Sequence, residues 1–277
     1  MTLRVGLIQT RTPASQAAAL AHVEPLVREA AGQGATFIAT PEGTNILERH
    51  RDTLLPQLAL LADDVAVQGL QALARELSVW LLIGSALVKR EDGKAANRTA
   101  LISPAGEIVA TYDKLHMFDV DLPTGETARE SATYEPGERA VTVQAGEARL
   151  GLTICYDVRF PALYRALALA GAEVITVPAA FTRPTGEAHW EVLLRARAIE
   201  TGAFVLAPAQ GGFHEDGRGT YGHTLAVSPW GEVLGRLDHD EPGVLVVDLD
   251  LSAAAKARAA IPNLANARPF AEPGRLA

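Results

Sequence analysis

The sequence predicts an α/β protein of four layers, α-β-β-α, in which two β-sheets pack face to face under outer helices, with a pseudo-twofold internal repeat. Three observations carry this expectation. Largely apolar strand-like runs alternate with helix-like runs, so helices must cover sheets that are buried on both faces. The order of runs in the first half of the chain recurs in the second. Each half also contains a hairpin pattern of nearly the same lettering, residues 99–110 and 224–235.

The elements follow in order. Residues 4–10 read as a buried strand, 14–32 as an alanine-rich helix, and 35–40 as a second strand closed by Pro41-Glu42-Gly43. Such a βαβ unit places its two strands parallel in one sheet. Residues 65–77 carry a helical pattern, and 79–87 form a long apolar strand. A charged turn at 89–94 precedes the first hairpin, whose strands flank a tight Pro/Gly turn. In the second half, Gly151 to Cys155 echoes Gly6 to Thr10, residues 161–170 are again helical, and 171–178 match 34–41. A helix over 187–201, a strand over 204–208, the second hairpin and a last strand over 243–248 complete the repeat. No linker-like composition divides the chain, so residues 1–277 are expected to form one domain with an irregular C-terminal tail from about residue 262. Residues 111–136 form the one long irregular stretch, of a length that often carries function.

Composition narrows the function classes. A hydrophobic content of 48% supports a large core, and a formal charge of −8 argues against nucleic acid or an anionic membrane as partner. The single cysteine excludes an intrachain disulfide and a cysteine-rich zinc site, and it suits a reducing compartment. No apolar run reaches membrane-spanning length, and the first residues enter a strand pattern without a signal-peptide core. A cytoplasmic protein is expected.

That cysteine ends a strand-like run, Gly151-Leu152-Thr153-Ile154-Cys155, and Pro161 six residues later suits the first position of a helix. On this segment alone a cysteine reads first as a small buried hydrophobe. The same turn nevertheless sets a thiol at the carboxyl end of a strand, near the positive end of a helix dipole, where a nucleophile can work. Glu42 occupies a strand end in the matching unit, and strand ends are where α/β folds gather reactive groups. A cysteine nucleophile needs a base and donors for its oxyanion. Cys155 with His116 or His223 is one available pairing, that of a cysteine peptidase. Glu42 with Lys114 is another route.

Other signals carry less. Gly217-Arg218-Gly219-Thr220-Tyr221-Gly222 matches G-x-G-x-x-G but follows a polar loop and leads into a strand, the wrong context for a dinucleotide site. His116, Asp119 and Asp121 can be drawn as metal ligands, but a polar loop explains them better. In the helix over 187–201, Trp190, Leu193, Leu194 and Ala198 share a packing face, with Glu191 and Arg195 as an i,i+4 pair outside it.

Three motifs, Thr40-Pro41-Glu42-Gly43, Tyr112-Asp113-Lys114-Leu115-His116 and Gly151 to Pro161 around Cys155, occur in the order and spacing of the nitrilase superfamily of carbon–nitrogen hydrolases. The chain resembles that family over essentially its whole length, through residues 188–201 and Tyr221-Gly222-His223. The resemblance implies the nitrilase-like sandwich and a thiol amidohydrolase acting through a cysteine thioester. In it Cys155 is the nucleophile, Glu42 the general base and Lys114 an electrostatic or acid partner. Glu130, in Ala128-Arg129-Glu130-Ser131, corresponds to the family's second glutamate, which holds the lysine, and the Ala180 N–H to a second oxyanion donor. No metal or cofactor is implied, and a homo-oligomer, dimer or higher, is expected.

Residues 112–121, 188–201 and 209–212 look most like the Nit branch. That likeness implies an α-ketoglutaryl amide such as deaminated glutathione as substrate. The alternatives are ω-amidase action on α-ketoglutaramate, or a catalytically silent binding relative. Such an acyl group calls for cationic donors, so Arg159 and Arg183, with Tyr156 and Ala180, are the expected substrate contacts; Arg159 has a structural ion pair as its alternative. The chain departs from the branch at Glu187, where a proline is usual, and in the tail carrying Asn263 and Asn266.

Overall fold

The computed structural model describes residues 1–123 and 125–271. Strand β1 (Thr2–Gln9) leads through helix α1 (Gln16–Gly32) to β2 (Phe37–Ala39), parallel to β1. After the short helix α2 (Arg51–Leu54), α3 (Val65–Leu77) returns the chain to β3 (Trp80–Lys89), parallel to β2. Strands β4 (Ala95–Ile102) and β5 (Ile108–Asp113) follow as antiparallel neighbours. The stretch expected to be irregular contains a small ribbon, β6 (Asp119–Asp121) with β7 (Thr127–Arg129), and a 3-10 turn over Glu130–Ala132.

The second half runs β8 (Val141–Ala145), β9 (Ala148–Leu152), α4 (Pro161–Leu169), β10 (Val174–Thr176), α5 (Arg183–Thr201) and β11 (Phe204–Ala207). A second ribbon, β12 (Gly211–Phe213) with β13 (Gly219–Tyr221), contains the glycine-rich stretch rejected as a dinucleotide loop. Strands β14 (Leu225–Val227), β15 (Val233–Arg236) and β16 (Gly243–Asp250) precede helices α6 (Ser252–Ala260) and α7 (Asn263–Asn266).

The strand orders make the repeat explicit. One sheet reads β16-β1-β2-β3-β4-β5 and the other β8-β9-β10-β11-β14-β15. The parallel triplets β1-β2-β3 and β9-β10-β11 correspond, and each first strand carries an antiparallel outer neighbour, β16 on β1 and β8 on β9. The chain's last strand therefore crosses back to the first sheet and interlocks the two halves. Strand alternation sorts the core into layers. Val5, Leu7, Phe37, Ala39 and Leu82 face Leu150, Leu152 and Val174 of the other sheet. Ile8, Ile38, Leu81 and Ile83 face Val23 and Val27 of α1 and Val67 and Leu70 of α3. The echoed glycines have one purpose: a Cβ on Gly6 would lie 2.8 Å from Ala30 Cβ of α1, and one on Gly151 would lie 3.2 Å from Leu167 Cβ of α4. Their absent side chains let each helix sit close on its sheet.

The structure also departs from the expected elements at α5, at β8 and in the tail. Helix α5 begins at Arg183, a turn before the expected start, because Pro184 fits the first helical turn, where its missing N–H has no partner to lose. Strand β8, outside the expected list, is the counterpart of β16. The tail expected to be irregular from about residue 262 is helical over Asn263–Asn266, after α6, whose Arg258 donates to the carbonyls of Thr201 at 3.0 Å and Ala172 at 2.5 Å. Residues 272–277 of that tail lie outside the described residues.

Candidate active site

Each reactive side chain projects from just beyond a strand end. Glu42 follows β2 on a loop that is held tightly. Gly43 N–H donates to Ser85 Oγ at 2.9 Å, Thr44 Oγ1 donates to Pro41 O at 2.7 Å, and Gln210 Nε2 donates to Glu42 O at 2.9 Å. Lys114 follows β5; its N–H donates to Asn97 O at 3.0 Å and its carbonyl accepts from Gly137 N–H at 2.8 Å. Cys155 follows β9 at the start of a 3-10 turn, Cys155–Arg159, with φ +49°, a left-handed conformation unusual for a non-glycine residue. Such a position stores about 1–3 kcal/mol of local strain, which the surrounding contacts must over-determine.

The contacts that hold this elbow converge on Asp157, whose side chain is fully buried. Its Oδ2 accepts from Ile154 N–H at 2.9 Å and from Tyr112 Oη at 2.7 Å; its Oδ1 faces His116 N–H at 3.1 Å and His116 Nδ1 at 2.7 Å. One carboxylate thus ties the turn bearing Cys155 to the residues on both sides of Lys114. Cys155 N–H donates to Pro178 O at 2.9 Å, which fixes the elbow to the neighbouring strand end.

Lys114 is 2% exposed at its side chain and lies between two carboxylates, with Nζ 2.9 Å from Glu42 Oε1 and 2.9 Å from Glu130 Oε1. Asn97, on β4, bridges the same pair, its Nδ2 donating to Glu42 at 2.8 Å and to Glu130 at 3.2 Å. Glu130 Oε2 accepts from Phe118 N–H at 2.7 Å, and Glu42 Oε2 accepts from Ala180 N–H at 2.8 Å.

The electrostatics follow from this packing. Burial works against the charged form of Glu42, but Lys114, with the bonds from Cys155 and Asn97, outweighs it and holds the carboxyl below its usual range. Burial also disfavours the ammonium, yet Glu130 and Glu42 keep Lys114 charged well above the usual lysine range. The Cys155 thiol is pushed well above an ordinary thiol, first by burial and then by the Glu42 charge, with Lys114 pulling in the opposite direction. The resting arrangement is a neutral thiol beside an ionised carboxylate and a permanent cation. Such a set can pass a proton from sulfur to carboxylate as a bond forms, and can hold a developing oxyanion.

Glu42, Asn97, Lys114, Glu130 and Cys155 line one cavity of ≈320 Å³. The Carbon-nitrogen hydrolase family model matches residues 4–259, nearly the whole sandwich. The chain belongs to the carbon–nitrogen hydrolase family. A deaminated glutathione amidase of Synechocystis sp. is 40% identical over 249 residues, 88% of this chain and 90% of that protein. The crystal structure of the C. elegans NitFhit protein superposes with a TM-score of 0.90 at 30% identity, covering 96% of this chain; this chain spans 65% of that one. The amidase from Nesterenkonia sp. AN1, solved as a glutamate-to-glutamine mutant with acrylamide added at the active-site cysteine, superposes with a TM-score of 0.77 at 28% identity, covering 94% of this chain and 98% of that one.

Within this carbon–nitrogen hydrolase, the fold brings Glu42, Lys114, Glu130 and Cys155 together, and Tyr156 and Ala180 line the same cavity. Arg159 and Arg183, the other expected substrate contacts, are not among the residues that line this cavity. Arg159 lies 3.3 Å from His189 Nδ1, with its guanidinium over Phe181. Arg183 is bound to Asp240 at 2.8 Å and lies over Phe213. The histidine pairing also dissolves. His116 is held by Asp157 and stacked on Phe160, His223 Nδ1 faces Tyr221 O at 2.7 Å, and neither lines the cavity.

Sequence reasoning missed Asn97, Asp157 and the cationic residues Arg49 and Arg218, which line the cavity wall. Among the described residues no group of three or more His, Cys, Asp or Glu side chains gathers to hold a metal ion, and no helix is long and apolar enough to cross a membrane.

Proposed function

We propose that this hydrolase cleaves an α-ketoglutaryl amide such as deaminated glutathione, through a thioester on Cys155. The observation carrying the proposal is the buried Glu42–Lys114–Glu130 cluster beside the only cysteine, on a chain 40% identical to a deaminated glutathione amidase. As sulfur attacks the amide carbonyl carbon, its proton passes to Glu42, and the carbonyl oxygen becomes an oxyanion facing Lys114 Nζ. Collapse of that intermediate breaks the C–N bond while Glu42 returns the proton to the leaving nitrogen. The free amine is cysteinylglycine, and the thioester remains. Glu42 then takes a proton from water, the hydroxide adds to the thioester carbonyl, and sulfur leaves with the proton restored to it.

Glu130 acts by holding Lys114, and Asn97 keeps the two glutamates at fixed spacing. The Ala180 N–H donates to Glu42 in the resting state, so it serves as a second oxyanion donor only once Glu42 is protonated and releases it. That the acrylamide adduct of the Nesterenkonia amidase forms at its active-site cysteine supports Cys155 as the nucleophile here.

A homo-oligomer fits the exposed apolar side chains along α5 and the adjacent turn. Val192 is 69% and Trp230 56% exposed, and Ile199 packs beside Gly231 of that turn. A working thiol suits the reducing cytoplasm. The deciding experiment compares purified enzyme on deaminated glutathione and α-ketoglutaramate, following cysteinylglycine and ammonia. A kcat/KM higher for the first supports the proposal. A tenfold preference for α-ketoglutaramate, equivalent to about 1.4 kcal/mol in transition-state binding, would reassign the chain to ω-amidase activity.

A further inference from the structure

The cavity wall supplies a cation that the hydrolytic step does not use. Lys114 is neutralised by Glu42 and Glu130. Arg129, at the exposed rim, is bound by both carboxylate oxygens of Asp121 at 2.8 Å. Arg218 is held differently. Asp216, fully buried at its side chain, accepts from Arg218 Nε at 2.7 Å and Arg218 N–H at 3.0 Å, and also from Arg49 N–H at 2.9 Å. Burial opposes ionisation of Asp216, but the Arg218 charge and these bonds keep it below the usual carboxylate range. The two terminal nitrogens of the Arg218 guanidinium have no acceptor among the described residues, and Arg218 lines the cavity. Arg49 lines the same cavity, also without a carboxylate partner among the described residues. Glu48, the nearest carboxylate in sequence on that wall, already accepts from His50 N–H at 2.6 Å.

We propose that Arg218, oriented by Asp216 and flanked by Arg49, binds the carboxylate of the substrate's acyl chain. A guanidinium fixed through Nε presents its other edge as a two-pronged donor, the geometry that matches a carboxylate. Tyr134 lines the same cavity as this group and the reactive cluster. The anchor and the reactive cluster thus share one cavity. Anchoring the acyl half is useful in both chemical steps, because that half stays bound as the thioester after the amine has left. This assignment rests on the α-ketoglutaryl reading and names the residue that enforces it, in place of Arg159 and Arg183.

The test uses glutaramate and glutaramide, five-carbon amides that differ only in a terminal carboxylate against a second amide. Wild-type enzyme should prefer glutaramate in kcat/KM. Arg218→Gln should reduce the ratio of the two by about 30-fold, as expected for losing hydrogen bonds to a charged group, and Arg218→Lys should retain part of it. Asp216→Asn, which releases the guanidinium, should lower the same ratio without removing the arginine. Where turnover is too slow to measure, protection of Cys155 against acrylamide by glutarate, read by intact mass, replaces it; loss of protection in Arg218→Gln is the expected result. A wild-type enzyme with no carboxylate preference, or a preference unchanged in Arg218→Gln, overturns the assignment. Turnover of glutaramate with none of deaminated glutathione would instead reject the substrate reading while leaving the anchor in place.

Discussion

Replacing Glu42 by Gln should move hydrolysis and thiol acidity in opposite directions. Besides the Cys155 thiol, Glu42 accepts from Lys114 and Asn97 on Oε1 and from Ala180 N–H on Oε2. A glutamine satisfies them best with its oxygen toward Lys114 and Asn97, leaving its NH2 facing the Ala180 N–H. One unmet buried donor destabilises the fold by about 1–3 kcal/mol, too little to abolish folding of a chain of this size. The chemical loss is larger, because no other carboxylate can take the Cys155 proton while Glu130 is committed to Lys114, Asn97 and Phe118. A positioned base contributes about 10²–10⁴-fold, or about 3–5 kcal/mol at 1.36 kcal/mol per tenfold. The thiol responds in the other sense. After burial, the Glu42 charge is the chief reason that Cys155 resists ionisation, and Lys114 opposes it. With Glu42 neutral, the thiolate should appear at lower pH than in the wild type. Thiolate absorbance measured against pH reads this directly, since Cys155 is the only cysteine. A variant that hydrolyses amide within about tenfold of wild type, below the range of a positioned base, refutes the role given to Glu42. A thiol ionising at higher pH than the wild type refutes the electrostatic account.

Three further expectations follow from the same contacts. Asn97→Ala removes a bond that helps hold Glu42 below the usual carboxylate range, so the acid limb of kcat/KM should move to higher pH, with activity near neutrality down about 10–100-fold for lost bonds to charged groups; a limb that stays in place contradicts the bridging role. Asp157→Asn leaves one acceptor oxygen for contacts now shared between two, and chemical denaturation should register a loss of about 3–5 kcal/mol, as for breaking a buried charged network. The third concerns alkaline stability. The folded thiol ionises well above the unfolded value of 9.0, so its contribution is complete below pH 9.0 and is lost as pH rises toward the folded pKa. Wild-type stability should therefore fall more steeply above pH 9 than that of Cys155→Ala, and parallel curves in denaturant titrations would remove Cys155 as the cause.

Much of the fold was legible because its signals are local. Hydrophobic runs, their spacing and the repeated hairpin lettering fall within a few dozen residues, and they predicted the paired sheets and the strand ends carrying Glu42 and Cys155. The Pro184 start of α5 and the edge strand β8 escaped the reading. A proline inside a polar run resembles a break, and a short half-exposed edge strand lacks the continuous apolar run of a central one. Asn97 and Asp157 escaped for another reason. Their importance lies in bonds to Glu42, Glu130, Tyr112 and His116, all distant in sequence, and nothing within β4 or the elbow itself announces those partners.

By itself, then, the sequence determined the two-sheet repeat, the order of the three motifs and the lone thiol at a strand end, since each depends on residue type and near-neighbour spacing. Only the tertiary structure decided which charges share the cavity. Arg159 is four residues from Cys155, yet the 3-10 turn directs it onto His189 and Phe181, whereas Arg218 reaches the cavity from a distant ribbon because the buried Asp216 holds it there. Side-chain direction on a turn depends on backbone angles and on the partners packed against it, and the packing of the two interlocked halves sets both.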